Sequence, residues 1–575
     1  MQINEIMKVI LPFLIIVWMV SCKQEAKEKL HKAYVHPSVK TKSVEKGGVA
    51  CANPYAAEAG NAILLKGGNA IDAAIATQFA LAVTFPLGGN IGGGGFMVIR
   101  LNDGQTASLD YREMAPTGAT KDMYLDAQGN FLDSLSRYGG LASGVPGSVA
   151  GMVEAHTQYG SLPFGDLVAP AIKLAKEGFP ITTLEANRLN KSKRIIKAYN
   201  RAPVAFVKKE PWKAGDTLRQ TDLAATLTLI ALQGRDGFYK GKIAQAIVDE
   251  VKATNGIITL EDLANYKAIW RKPVEGYYRD YQVISMPPPS SGGVTLMQLL
   301  ETVEGFRMDT MQMHSVDAMH LMVEAERRVY ADRATHLGDV DFYPVPMEGL
   351  LDSSYIHGRM PVIPERATPS KEIKAGHPKE KEHEQTTHFS VVDQFGNAVA
   401  TTTTINSLYG SKVVVKGGGF FMNNEMDDFS AKPGVPNQFG LIGNEANAIA
   451  PGKRMLSSMT PTILAKDGKW IMVLGSPGGS TIITSVFQTV VNVTEFGQSG
   501  AEAVAAGRFH HQWRPDTIFI EKNVFSADVL SGLRAKGHII VERSNIGAVD
   551  AIFRSPDGKI ELVADPRWDD SVDGE

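Results

Sequence analysis

From Asn53-Pro54 onward, the apolar positions Ala56, Ala57, Ala59, Ala62, Ile63 and Leu65 recur at helical spacing. Asn53 suits an N-cap, Pro54 fits a first turn that needs no N–H donor, and Gly67-Gly68 stops the pattern. A second helix is predicted from Ile71 to about Val83. The run Gly88-Gly89-Asn90-Ile91-Gly92-Gly93-Gly94-Gly95 then leads into two strands, Phe96 to Leu101 and Ala107 to Tyr111. Ser315 to about His336 reads as a long amphipathic helix, with Val316, Met319, Met322 and Val323 on its apolar face. Trp470 to Leu474 reads as a strand, and Ser476-Pro477-Gly478-Gly479 as a turn into a helix from Ser480 to about Phe496. Both periodicities are therefore present, in a chain long enough for one large domain or several smaller ones.

The sharpest break in the pattern is Glu365 to Gln385, where Lys and Glu dominate and a solvated, mobile loop is expected. Directly after it, Thr387 to Asp393, Gln394 to Asn397 and Ala398 to Ile405 read as strand, turn and strand. If Asp393 pairs with Ala398, Thr386 falls opposite Ile405, within one position of register, beside Thr404 and Asn406. A threonine at the start of a buried strand, behind a disposable charged loop, suits a chain that exposes a new N-terminus by cutting itself. Such a threonine supplies a nucleophilic Oγ and, in its freed α-amino group with a pKa of about 8, the base that activates it. Gly478 and Gly479, at a helix N-terminus, can bring two N–H groups to a developing oxyanion without side-chain obstruction.

Other chemistries fit less well. A net charge of −3 with both signs interspersed leaves no basic footprint for nucleic acid. His383-Glu384 begins like a zinc-protease motif, but the next histidine, His388, is at i+5 and in a predicted strand, so no metal is expected. His510-His511 alternates across any strand and reads as packing or surface. The glycine runs lack the spacing of a dinucleotide or phosphate loop, and Gly475 to Gly479 is not a serine-hydrolase elbow.

At the N-terminus, Lys8, the apolar run Val9 to Val20 and Ser21-Cys22 read as an export signal too short to span a bilayer. Met19 to Cys22 resembles a bacterial lipoprotein signal, with Met19 where Leu is usual; cleavage over residues 1–21 would leave Cys22 to receive lipid. The alternative is ordinary secretory cleavage beside an incidental cysteine. Residues 22–46 would be a tether. The only other cysteine, Cys51, sits in an apolar segment and reads as an inert buried thiol.

Six motifs, in order, resemble those of gamma-glutamyltransferase (gamma-glutamyl transpeptidase), of the N-terminal nucleophile hydrolase superfamily. They are Asn90 to Phe96, Tyr111 to Pro116, Thr386 to Ser390, Asn423 to Phe429, Leu456 to Met459 and Gly475 to Gly479. The resemblance implies an α+β fold, a four-layer αββα sandwich, and autocatalytic cleavage between Gln385 and Thr386. A large subunit, 47–385, and a small one, 386–575, would stay together as one folded unit. Thr386 would form a γ-glutamyl ester from glutathione or another γ-glutamyl compound and yield it to water or to an amino-acid or peptide acceptor, with no cofactor. Thr404 would position the nucleophile, and Gly478 and Gly479 would form the oxyanion hole. Arg112, Ser457 and Ser458 would hold the substrate α-carboxylate, and Asn406, Glu425 and Asp428 its α-ammonium. The charges agree with this division, because a guanidinium matches a carboxylate and acidic groups suit an ammonium.

Ala431 to Arg454 is long enough for a lid, with Phe439 where some relatives have Tyr. The resemblance and the signal together place the protein outside the cytoplasm, in the periplasm or anchored to the outer membrane. Two alternatives stand beside this reading: a glutaryl-type acylase of the same superfamily, which has no ammonium to bind, and a catalytically inactive lipid-anchored binding protein.

Overall fold

Successive side chains of a strand point to opposite faces, and the central strands of the computed structural model bury both. The structure describes residues 39–376, 387–432, 435, 438, 441 and 445–575; Cys22, Thr386 and Phe439 lie outside them. In chain order the main strands are β1 (Lys40–Val44), β2 (Gly48–Cys51), β3 (Gly94–Arg100), β4 (Thr106–Asp110), β5 (Ile269–Arg271), β6 (Val274–Tyr278), β7 (Tyr281–Ser285), β8 (Thr387–Val392), β9 (Ala398–Thr404), β10 (Thr462–Lys466), β11 (Lys469–Gly475), β12 (Asp550–Arg554), β13 (Ile560–Ala564) and β14 (Ser571–Gly574). They form two seven-stranded sheets, β14-β2-β8-β9-β3-β4-β5 and β1-β13-β12-β11-β10-β7-β6. Every pairing in both is antiparallel.

Alternation sorts the apolar side chains into three layers. Phe96, Val98, Ala398, Ala400, Ile463 and Val473 pack between the sheets. Met97, Ile99, Val391 and Val399, one residue out of phase, pack outward against α1 (Pro54–Leu65), α2 (Ala70–Thr84) and α3 (Phe164–Glu177). On the far side, Leu464, Met472 and Leu474 pack under α4 (Gly292–Glu304), α5 (Val316–His336) and α6 (Thr481–Thr494). The result is the expected αββα sandwich, and each fully buried Leu or Phe in it contributes about 1.5–3 kcal/mol. The predicted starts hold: Asn53 accepts a hydrogen bond from the Tyr55 N–H, and Pro54 opens α1. Cys51 is buried, and burial pushes its thiol pKa up, as an inert thiol requires. Among the described residues, no helix is long and apolar enough to cross a membrane.

Four expectations need correction. The β8–β9 register pairs Val392, not Asp393, with Ala398, and Thr387 with Thr403. Asp393 is drawn into the turn, where its carboxylate accepts from the N–H groups of Phe395, Asn397 and Ala70. The tether expected to run to residue 46 ends earlier, because Lys40–Val44 is an edge strand on β13. Its side chains are exposed apart from Val44, so no apolar period announces it; the backbone ladder and the Lys42–Asp573 pair hold it.

The helix α5 is not amphipathic in place, because Glu324, Glu326, Arg327, Asp332 and Arg333 on its polar side are as buried as its apolar face. The start of the charged segment is what covers part of that side. Thr368 donates through N–H and Oγ1 to Glu324, Ser370 N–H to Asp516, and Gly376 N–H to Asp332. Residues 368–376 are thus docked through Thr368, Ser370 and Gly376, while Lys371, Glu372 and Lys374 stay exposed.

Candidate functional site

The end of β9 is where the sheets, a glycine run and the acidic turn meet. Thr404 pairs with Gly94 and is fully buried. Its Oγ1 donates to Glu425 Oε1 at 3.1 Å and accepts from the Asn406 N–H at 2.7 Å. Asn406 has φ 67°, a left-handed conformation that asparagine tolerates better than most residues, and its Nδ2 donates to the Asn424 carbonyl. Asn90 supports the strand from below by donating to the Thr404 carbonyl and to Thr403 Oγ1. Thr387 is also buried; it is opposite Thr403 and bonded covalently to residue 386.

Beyond β4, Arg112 enters this space with no exposed surface. Its Nη2 donates to Asp428 Oδ2 at 2.7 Å and to the Leu456 carbonyl, its Nε to the Met455 carbonyl, and its Nη1 to Glu425. Glu113 lies beside it, Oε2 3.5 Å from Nη1. Glu425–Asp428 is a short 3-10 turn, which Asn423 fixes by accepting from the Glu425 N–H and donating to the carbonyls of Gly92 and Gly144. Burial raises the Glu425 pKa against the lowering effect of Arg112 and Thr404. Burial and the nearby Glu425 charge raise that of Glu113 further, well above the carboxylate range. Ionic groups this deep each cost several kcal/mol to desolvate, so their clustering is weak evidence for stability and better evidence for a charged ligand.

Ser457 and Ser458 follow Leu456, so the segment that gives Arg112 a carbonyl also carries both hydroxyls. Ser457 Oγ accepts from the Met459 N–H, and Ser458 Oγ accepts from Arg333 Nη2 at 2.6 Å. Gly478 and Gly479 link β11 to α6 at φ 132° and 63°. A Cβ at Gly478 would strike Thr481 Oγ1, and neither glycine N–H donates a backbone hydrogen bond among the described residues.

The predicted residues Arg112, Thr404, Asn406, Glu425 and Asp428 therefore form one connected cluster. Ser457 and Ser458 reach it through Leu456. Thr386 lies outside the described residues. Sequence reasoning missed Glu113 and Arg333; only adjacency to Arg112 within Tyr111 to Pro116 pointed to the first, and nothing local pointed to the second. Among the described residues, one group elsewhere, His320, Glu324 and His538, has donor atoms within 4.8 Å of one another. His320 Nδ1 and His538 Nε2 already bond to each other at 2.7 Å, while Arg327 and Arg328 pair with Glu324. Two guanidinium groups beside those donors oppose a cation. His510 and His511 are both buried.

The sequence profile of the family described as Gamma-glutamyltranspeptidase matches residues 56–574. The chain is similar to the glutathione hydrolase proenzyme of Escherichia coli (strain K12), with 49% identity over 531 residues, 92% of this chain and 91% of that one. It is also similar to the acylase ACY 1 proenzyme of Pseudomonas sp. (strain SE83), with 37% identity over 91% of this chain and 93% of that one. Among solved structures it resembles the cephalosporin acylase from Bacillus halodurans, with TM-score 0.84 and 29% identity over 95% of this chain and 98% of that one. Sequence profile, full-length relatives and four-layer fold agree: the chain belongs to the gamma-glutamyltranspeptidase family.

Proposed function

We propose that the protein is a gamma-glutamyltransferase and glutathione hydrolase that matures by cutting itself between Gln385 and Thr386. The observation that carries this reading is the buried constellation of Thr404, Glu425, Arg112 and Asp428 at the strand end next to Thr387. In the precursor, Thr386 Oγ attacks the Gln385 carbonyl and displaces the Thr386 nitrogen, which takes up a proton as the free α-amino group; water then hydrolyses the resulting ester, releasing the Gln385 carboxylate and the Thr386 hydroxyl. In the mature enzyme that amine takes the Oγ proton as Oγ attacks the γ-carbonyl of the donor. The oxyanion is received by the N–H groups of Gly478 and Gly479, and the leaving amine departs with the proton. Water or an acceptor amine then attacks the γ-glutamyl ester and regenerates Thr386.

Thr404 orients the nucleophile, since its hydroxyl is itself fixed by Glu425 and the Asn406 N–H. The substrate α-carboxylate takes Arg112, Ser457 and Ser458, and the α-ammonium takes Glu425, Asp428 and Asn406. Because Arg112 already pairs with both acids, the substrate zwitterion enters by exchanging these internal ion pairs for its own charges. The segment from β1 to Gln385 and residues 386–575 are the two subunits, and amino acids or peptides are the acceptors. Cys22, carrying lipid after removal of residues 1–21, holds the enzyme outside the cytoplasm on a membrane.

The acylase relatives make glutaryl substrates the alternative, and the two acids separate the readings, because a glutaryl chain offers no ammonium to Glu425 and Asp428. Turnover of γ-glutamyl and glutaryl anilides under the same conditions is the test. Preference for the γ-glutamyl compound is expected, and preference for the glutaryl compound rejects the substrate assignment.

A further inference from the structure

The pocket holds three acids against one guanidinium. Arg112, Glu113, Glu425 and Asp428 are each 0% exposed. If all ionise, the cluster carries a net charge of −2, in a place where no water screens it. Glu113 Oε1 and Glu425 Oε2 are both buried without a hydrogen-bond donor among the described residues, yet the two carboxyl groups converge on the same nitrogen, Arg112 Nη1. Two carboxylates are acceptors only, and a contact between them needs a proton. Gly94 makes room for the arrangement, since a Cβ there would sit 2.5 Å from Glu113 Oε2.

We infer that Glu113 is a positioning residue that stays protonated and donates a hydrogen bond to Glu425, holding that carboxylate toward Thr404 and the substrate ammonium. Glu425 is the ionised partner because Arg112 and Thr404 both donate to it, whereas Glu113 has only the longer 3.5 Å contact with Arg112. The groups facing Glu113 from other elements favour its neutral form. Burial and the Glu425 charge do so, against Arg112 and the Glu113 backbone N–H, while the buried phenols Tyr111 and Tyr239 stay uncharged and Asp428 is paired with Arg112. Asp110, on the far side of Arg112, is taken up by Arg271 and Arg454. With the proton in place the pocket carries one negative charge, suited to an ammonium; loss of the proton at high pH adds a second and sets two carboxylates against each other.

The inference rests on the γ-glutamyl reading, and wild-type turnover of a γ-glutamyl anilide tests that reading first. Given turnover, Glu113→Gln, which keeps a donor, is expected to hold kcat/KM near pH 7 within about threefold of wild type and to remove the alkaline fall caused by proton loss. Glu113→Leu is expected to raise KM more than about tenfold, with a smaller change in kcat. Equal loss in the Gln and Leu variants, or an alkaline limb in Glu113→Gln that superimposes on wild type, overturns the inference. If Glu113→Gln does not fold or mature, Glu425→Gln carries the test: Glu113 then ionises against Arg112, and the limb disappears although KM rises. A retained limb there overturns the inference as well.

Discussion

Arg112 Nη2 lies 2.7 Å from Asp428 Oδ2, and neither side chain has any exposed surface. A guanidinium that also donates to Glu425 and to the carbonyls of Met455 and Leu456 is held in one orientation before a substrate arrives. Truncating it leaves buried carboxylates without their counter-charge. Arg112→Ala is therefore expected to destabilise the uncut Thr386→Ala precursor by about 3–5 kcal/mol. Denaturant unfolding of the two precursors checks this, and an unchanged midpoint refutes it.

Gly94 stands where a Cβ would meet Glu113 Oε2 and the Tyr111 carbonyl, both at 2.5 Å. The backbone oxygen cannot move without shifting β4. Gly94→Ala is expected to cost about 1–3 kcal/mol of overpacking strain and to lower activity more than stability, because Glu113 is pushed toward Arg112. Thermal unfolding measured beside anilide turnover separates the two effects.

Gly478 carries φ 132°, and any side chain there also strikes Thr481 Oγ1. Gly478→Ala is expected to lower kcat by about 10²–10³-fold through a displaced oxyanion donor, with KM much less affected. A KM effect alone points to a binding role instead.

Burial holds His388 and His510 neutral, with pKa values pushed down to about 3, and His511 down to about 4. The unfolded chain takes up these protons near the ordinary value of about 6.5 while the folded chain refuses them, so the stabilisation is complete above that pH. It is lost as pH falls from about 6.5 toward 4, by about 1.4 kcal/mol per pH unit for each histidine. Unfolding midpoints over that window are expected to fall steeply, and His388→Gln is expected to make the slope shallower.

Much of this was legible in the chain and some was not. The hairpin of β8 and β9 stood out because a charged segment gives way abruptly to alternating apolar residues. Its register was one residue off because a carboxylate, Asp393, prefers three backbone N–H groups in the turn to a place on the strand. The second side of α5 was misread because its partners, Thr368, Ser370 and Gly376, come from a stretch whose composition looks solvated. The candidate site residues came from motifs, whereas Arg333 belongs to no local pattern and meets Ser458 only in the folded chain.

That docked stretch yields a prediction of its own. Asp332 accepts from Gly376 N–H, Arg359 and Tyr355. Asp332→Ala is expected to loosen residues 368–376 from α5, seen as faster amide exchange confined to that segment. Unchanged protection there contradicts the docking.

Self-cleavage before Thr386 is read most directly on a denaturing gel of the purified protein with N-terminal sequencing of its smaller band. Two bands are expected, the smaller beginning Thr386-Thr387-His388, and one uncut, inactive chain for Thr386→Ala. A different first residue, or equal cutting of the variant, contradicts it.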